Sequence, residues 1–82
     1  MTVAAFVLIE TEVGTARSVA TACQALDLQH ATVTGVSVVT GPYGVIARVE
    51  AEDISTLGTL LTETLHSMSG VQHTVTCIEL EP

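Results

Sequence analysis

The chain has no lysine and no tryptophan, one phenylalanine, one tyrosine and only two cysteines in 82 residues. Each scarcity removes a class of function. Arg17 and Arg48 face nine acidic residues, for a formal charge of −7. A surface of that sign repels a phosphate backbone rather than releasing its counterions, which argues against direct nucleic-acid binding. The apolar start "VAAFVLI" is too short to span a bilayer and has neither the basic flank nor the small-residue cleavage site of an export signal. A soluble, cytoplasmic protein without a membrane partner is expected. Cys23 and Cys77 lack the C-x-x-C or Cys/His spacing of a redox or zinc site, so both are expected as buried, reduced thiols. Gly14, Gly35, Gly41, Gly44, Gly58 and Gly70 form no phosphate-loop or dinucleotide fingerprint. The reading therefore contains no cofactor and no metal.

What is abundant is valine, alanine, leucine and threonine, and hydrophobic residues make up 48% of the chain. That composition suits a small sheet-plus-helix domain, and the expectation is a single domain over 1–82. A core this small gains from association with a second copy.

Residues 3–11, "VAAFVLIET", are too few for a helix and rich in strand formers, so they are read as the first strand. From Thr15 to Leu28, Ala16, Val19, Ala20, Cys23 and Leu26 recur at three- and four-residue steps, the stripe of a helix with Thr15 as its N-cap and Arg17 exposed. Residues 33–40, "VTGVSVVT", and 45–51, "VIARVEA", flank the step Gly41-Pro42-Tyr43-Gly44 and form a hairpin. Asp53 caps a second helix in which Ile54, Leu57, Leu61, Leu65 and Met68 share one stripe, widened by Leu60 and stopped at Gly70. The last strand covers 71–80, "VQHTVTCIEL".

The order predicts an α+β, ferredoxin-like βαββαβ fold of the dimeric α/β-barrel type, a four-stranded antiparallel sheet with two helices on one face. Right-handed crossovers put the first and third strands at the centre. Helices cover only one sheet face. Yet Val3, Ala5, Val7 and Ile9 point one way and Ala4, Phe6 and Leu8 the other, while Val45, Ala47 and Val49 oppose Ile46 and Arg48, so neither face is polar. An apolar open face predicts a homodimer packed through the sheets.

Catalytic groups are sparse. His30, His66 and His73 scatter over a loop, a helix end and a strand, none with an evident partner, and His66 in a last helical turn suits the helix dipole. Glu10, Glu12, Glu50, Glu52 and Asp53 cluster near strand ends without calcium-loop spacing and are read as solvated. The loops rich in Thr, Gly and Tyr offer amides and hydroxyls for a small polar zwitterion.

Three stretches resemble one family: "AFVLIET..G" at the first strand, "VTGPYGVIARVEAED" across the hairpin, and "L..LLTETLHSMSGVQHTVTCIEL" to the end. Together, from about Ala5 to Leu80, they resemble the effector-sensing (RAM) domain of Lrp/AsnC transcriptional regulators. The resemblance implies a ferredoxin-like fold, sheet-to-sheet dimers, and higher rings such as octamers. It implies an effector, usually an amino acid, bound between dimers near the hairpin and the start of the last strand. On matching positions this nominates Thr40, Gly41, Pro42, Tyr43 and Gly44 in the hairpin, with Thr74 and Thr76 in the last strand. Gly44 stands where the family usually has an aspartate that can meet an ammonium group. The chain starts directly at its first strand, so it resembles the stand-alone members that lack a helix-turn-helix, and it is expected to act by co-assembling with full-length regulators. It is read as not an enzyme. The alternatives are a cofactor-free dimeric α/β-barrel enzyme with His73 as its only candidate base, and a structural oligomer without a ligand.

Overall fold

The computed structural model describes residues 2–81. Its elements are β1 (Val3–Thr11), α1 (Ala16–Gln24), β2 (Ala31–Val38), β3 (Val45–Ala51), α2 (Ile54–Thr59), a π-helical segment (Leu60–Leu65) and β4 (Val71–Ile78). One antiparallel sheet runs in the order β2-β3-β1-β4. The expected ferredoxin-like βαββαβ arrangement is therefore the fold observed, with β1 and β3 at the centre. Strand alternation explains the core. Ala5, Val7 and Ile9 on β1, and Val45, Ala47, Val49 and Ala51 on β3, are buried against Val19, Ala20 and Cys23 of α1 and Leu57, Leu60 and Leu65 of the second helical stretch.

Both helical stretches differ from the sequence expectation. α1 stops at Gln24 rather than Leu28, because Ala25 and Leu26 tighten onto the carbonyls of Thr21 and Cys23. Leu26 and Leu28 then reach the core from an irregular segment. Thr15 sits at the N-cap but makes no cap bond; its hydroxyl donates to the Glu12 carbonyl at 2.8 Å. Asp53 does cap α2, accepting the Thr56 N–H at 2.7 Å, and these bonds hold its carboxyl below the usual range. After Thr59 the chain widens, and the His66 N–H reaches back five residues to the Leu61 carbonyl at 3.0 Å. Widening shifts the stripe: Leu57, Leu60 and Leu65 are buried, Leu61 and Met68 are half-buried, and Ile54 is exposed.

β2 starts at Ala31 and ends at Val38, two residues earlier at each end than expected, and β4 ends at Ile78 rather than Leu80. Two register shifts mark the edge strands, one at Thr34 in β2 and one that leaves Gln72 without a β1 partner. The open sheet face is less apolar than expected. Phe6, Leu8, Ile46 and Val75 share it with Arg48, whose guanidinium donates to Glu79 at 2.8 Å and Glu50 at 2.7 Å and lies 6.0 Å from the Phe6 ring centre. Cys77, opposite Phe6, is exposed; only Cys23 is the buried thiol expected, and burial pushes it up from its ordinary pKa. The molecule is 17 Å along its shortest axis, one sheet and one helical layer.

Candidate functional site

The hairpin and the start of β4 lie at the same end of the sheet. Gly44 ties the hairpin there: its carbonyl accepts the Val39 N–H at 2.9 Å and its own N–H donates to the Ile9 carbonyl at 3.0 Å. Ile9 and Thr11 in turn register with Thr74 and Val71 of β4. Thr40, Gly41 and Pro42 are exposed, whereas Tyr43 and Gly44 are half-buried. A methyl group on Gly44 would stand 2.5 Å from Thr11 Oγ1 and 3.3 Å from Ala16 Cβ. A side chain there would force the Thr11 hydroxyl to turn away and crowd Ala16, so close packing alone favours glycine.

Thr74 and Thr76 are half-buried and sit on the helix-covered face, opposite Ile9 and Val7. β1 separates them from the hairpin, so within one chain the loop and the two threonines stay roughly two strand spacings apart, about 10 Å. A cleft of about 250 Å³ opens beside β4, lined by His66, Val71, Gln72, His73 and Thr74. It contains one nominated residue, Thr74, and neither Thr76 nor any of the hairpin five.

Histidine supplies what the sequence reading missed. His66 has a partner: its Nε2 lies 2.8 Å from Thr74 Oγ1. The π-helical widening and the tight turn at Gly70, where φ is +92°, bring residue 66 back onto residue 74. The bulge frees only Gln72 from the alternation: Thr74, opposite Ile9, stays on the helix-covered face and His73, opposite Glu10, on the other, while all three residues border the cleft at the sheet edge. The only sequence signal for this was a histidine and a threonine eight residues apart across a helix-to-strand turn.

His30 also has a partner, Glu52 Oε1, at 3.1 Å. That pair is exposed and lines a second cleft, of about 250 Å³, at the opposite end of the sheet. Glu50 is used by Arg48 and Asp53 by Thr56, so three of the five carboxylates read as solvated have partners. Among the described residues no three His, Cys, Asp or Glu side chains stand together as a metal site requires. No helix of the described residues is long and apolar enough to cross a membrane. His73 is exposed and, among the described residues, has no hydrogen-bond partner to activate or orient it.

Comparison with known proteins agrees with this arrangement. The chain matches the family model of the Lrp/AsnC ligand binding domain over residues 4–82. It is 32% identical to FFRP-DM1 in its crystal structure, with a TM-score of 0.85 over 95% of this chain and 99% of that one. AsnC of E. coli is 25% identical with a TM-score of 0.85, over 98% of this chain and 52% of AsnC, so the chain spans about half of AsnC's length. The regulator NMB0573 of Neisseria meningitidis, solved as its L-Met complex, shares the fold at 20% identity and a TM-score of 0.81, over 96% of this chain and 50% of that one. Among curated proteins none matches the chain.

Proposed function

This chain belongs to the Lrp/AsnC ligand binding domain family, and from that premise we propose that it is a single cytoplasmic domain that senses a small molecule, an amino acid, and transmits its presence through assembly. In this reading two chains pack through their open sheet faces and the dimers close into a larger ring. The effector lies between dimers, touching Thr40–Gly44 of one chain's hairpin and Thr74 and Thr76 near the start of a β4. The assembly performs no catalysis, and it modulates full-length regulators by joining them.

One observation carries the reading: the hairpin and the start of β4 share one sheet end, beside a cleft with polar walls. The L-Met complex of the Neisseria regulator supports the class of ligand, since that protein has the same fold. Separation of the loop from Thr74 by β1 supports a site completed by a second chain, because one chain alone does not close it.

Thermal melting of the intact assembly with each of the twenty amino acids at millimolar concentration tests the proposal. A ligand that binds only the folded state raises the melting temperature, and more so as its concentration exceeds its dissociation constant. At least one amino acid is expected to do so and to change the native mass. An intact oligomer that none of the twenty shifts would favour the ligand-free structural reading, which the packing role of Gly44 supports independently.

A further inference from the structure

The cleft beside β4 has an unusual chemistry for so acidic a chain. The residues that line it are two histidines, a glutamine, a threonine and a valine, with no carboxylate among them. β4 is also an edge strand, bonded only to β1, so its outer backbone adds unpaired amide donors. Neither arginine lines the cleft: Arg48 holds Glu50 and Glu79 on the open face, and Arg17 is exposed on α1. An anion entering this cleft therefore meets imidazole as its only source of positive charge. An ammonium group meets no carboxylate on the wall.

The geometry points to a pH-gated site for a small carboxylate anion, in which His66 and Thr74 act as a hydrogen-bond relay. The inference rests on the effector reading above and specifies which ligand chemistry that sheet end selects. Its core is the 2.8 Å contact between His66 Nε2 and Thr74 Oγ1. When Nε2 carries no hydrogen, the Thr74 hydroxyl donates to it and has no hydrogen left for a ligand. When a proton from solvent makes the ring an imidazolium, Nε2–H donates to Thr74 Oγ1. The threonine hydrogen is then free to turn into the cleft, where the ring also adds a positive charge. The neutral Nε2–H tautomer frees that hydrogen too, whereas protonation makes the arrangement obligatory and adds the attraction for a carboxylate.

The charged groups around His66 are few. On its own helical stretch Glu63 lies one turn back; on β4 there is His73; at the end of β1, Glu10 stands opposite His73 in the register and Glu12 donates its N–H to the Gly70 carbonyl. Arg17 is the charged group of α1. None of the three glutamates lines the cleft. The ligand class that follows is a small mono- or dicarboxylate, a 2-oxo acid or an acidic amino acid, ahead of neutral zwitterions and basic amino acids.

Calorimetric titration of the intact assembly at pH 5.5 and 8.0, at fixed ionic strength, tests this. The probes are pyruvate, 2-oxoglutarate, L-aspartate and L-glutamate, against L-leucine, L-methionine and L-lysine. At least one of the four anions is expected to bind at least about fivefold tighter at pH 5.5, the range over which imidazoles gain charge. His66→Gln and Thr74→Val should both abolish the pH dependence, while Thr74→Ser and His73→Gln retain it. In the wild type, ligand should move the NMR titration of the His66 ring to higher pH. A zwitterion bound equally at both pH values, or a pH dependence that survives His66→Gln, would overturn the relay and leave the sensing function standing. No binding by any amino acid or 2-oxo acid at either pH would overturn both.

Discussion

Gly44 illustrates how one residue's environment decides between a chemical and a mechanical role. A side chain there would run into Thr11 and Ala16, and its two backbone groups bridge the hairpin to β1. Gly44→Ala should cost about 1–3 kcal/mol by forced overpacking. Thr11→Ala removes the oxygen in the way, so the double variant Thr11→Ala/Gly44→Ala should regain at least half of that loss. Urea midpoints of the four proteins measure the coupling, and additive losses would show that the Thr11 contact is not the cause. The same logic places His66. From the sequence it was a histidine at a helix end that suits the helix dipole, whereas in the structure it bonds Thr74, which a turn at Gly70 returns to it. Thr74 was nominated because a family pattern marks it; its contact with His66 was not legible, because no local rule pairs a helix end with a strand that follows.

At the scale of elements, β1 and β3 were legible residue for residue in span, whereas both sets of alternating side chains were apolar, so the face that the helices bury was not. The helical stretch after Asp53 was legible only in outline. Apolar residues at positions 54, 57, 61, 65 and 68 fit an unbroken α-helix, and spacing carries no sign of where the backbone widens by a residue. Ile54, at the start of α2, is 67% exposed, and Leu65, at the end of the widened segment, is 1% exposed. Ile54→Glu should therefore change stability by less than about 0.5 kcal/mol, the usual range for surface positions. Leu65→Ala should cost about 2–5 kcal/mol, since it empties a filled core position. Thermal and urea unfolding distinguish the two; equal losses would mean that the stripe continues in α-helical register.

For the whole molecule, the decisive feature is a two-layer slab with one face left open. Leu8, Ile46 and Val75 occupy adjacent positions across β1, β3 and β4 there, bordered on one side by Arg48, Glu50 and Glu79. An apolar patch with a charged border is the usual make-up of a protein interface. In the proposed dimer, Leu8→Lys places an unpaired charge in that patch and should yield folded monomers at micromolar concentration, read by sedimentation equilibrium and circular dichroism. Sequence alternation foretold an apolar open face but not its ionic border, because Arg48 and Glu50 of β3 meet Glu79, just past β4, through a register that the chain order alone does not give.

Cys77 gives that same face a chemical clock. It is the chain's one accessible thiol, standing opposite Phe6, while Cys23 is sealed in the core with its thiol shifted away from the reactive thiolate. A maleimide added to the protein therefore marks one position only, at a speed set by whether the open face is bare or covered. Dilution, effector or a mixed partner that changes the coverage changes that speed, so labelling kinetics follow assembly without any engineered tag.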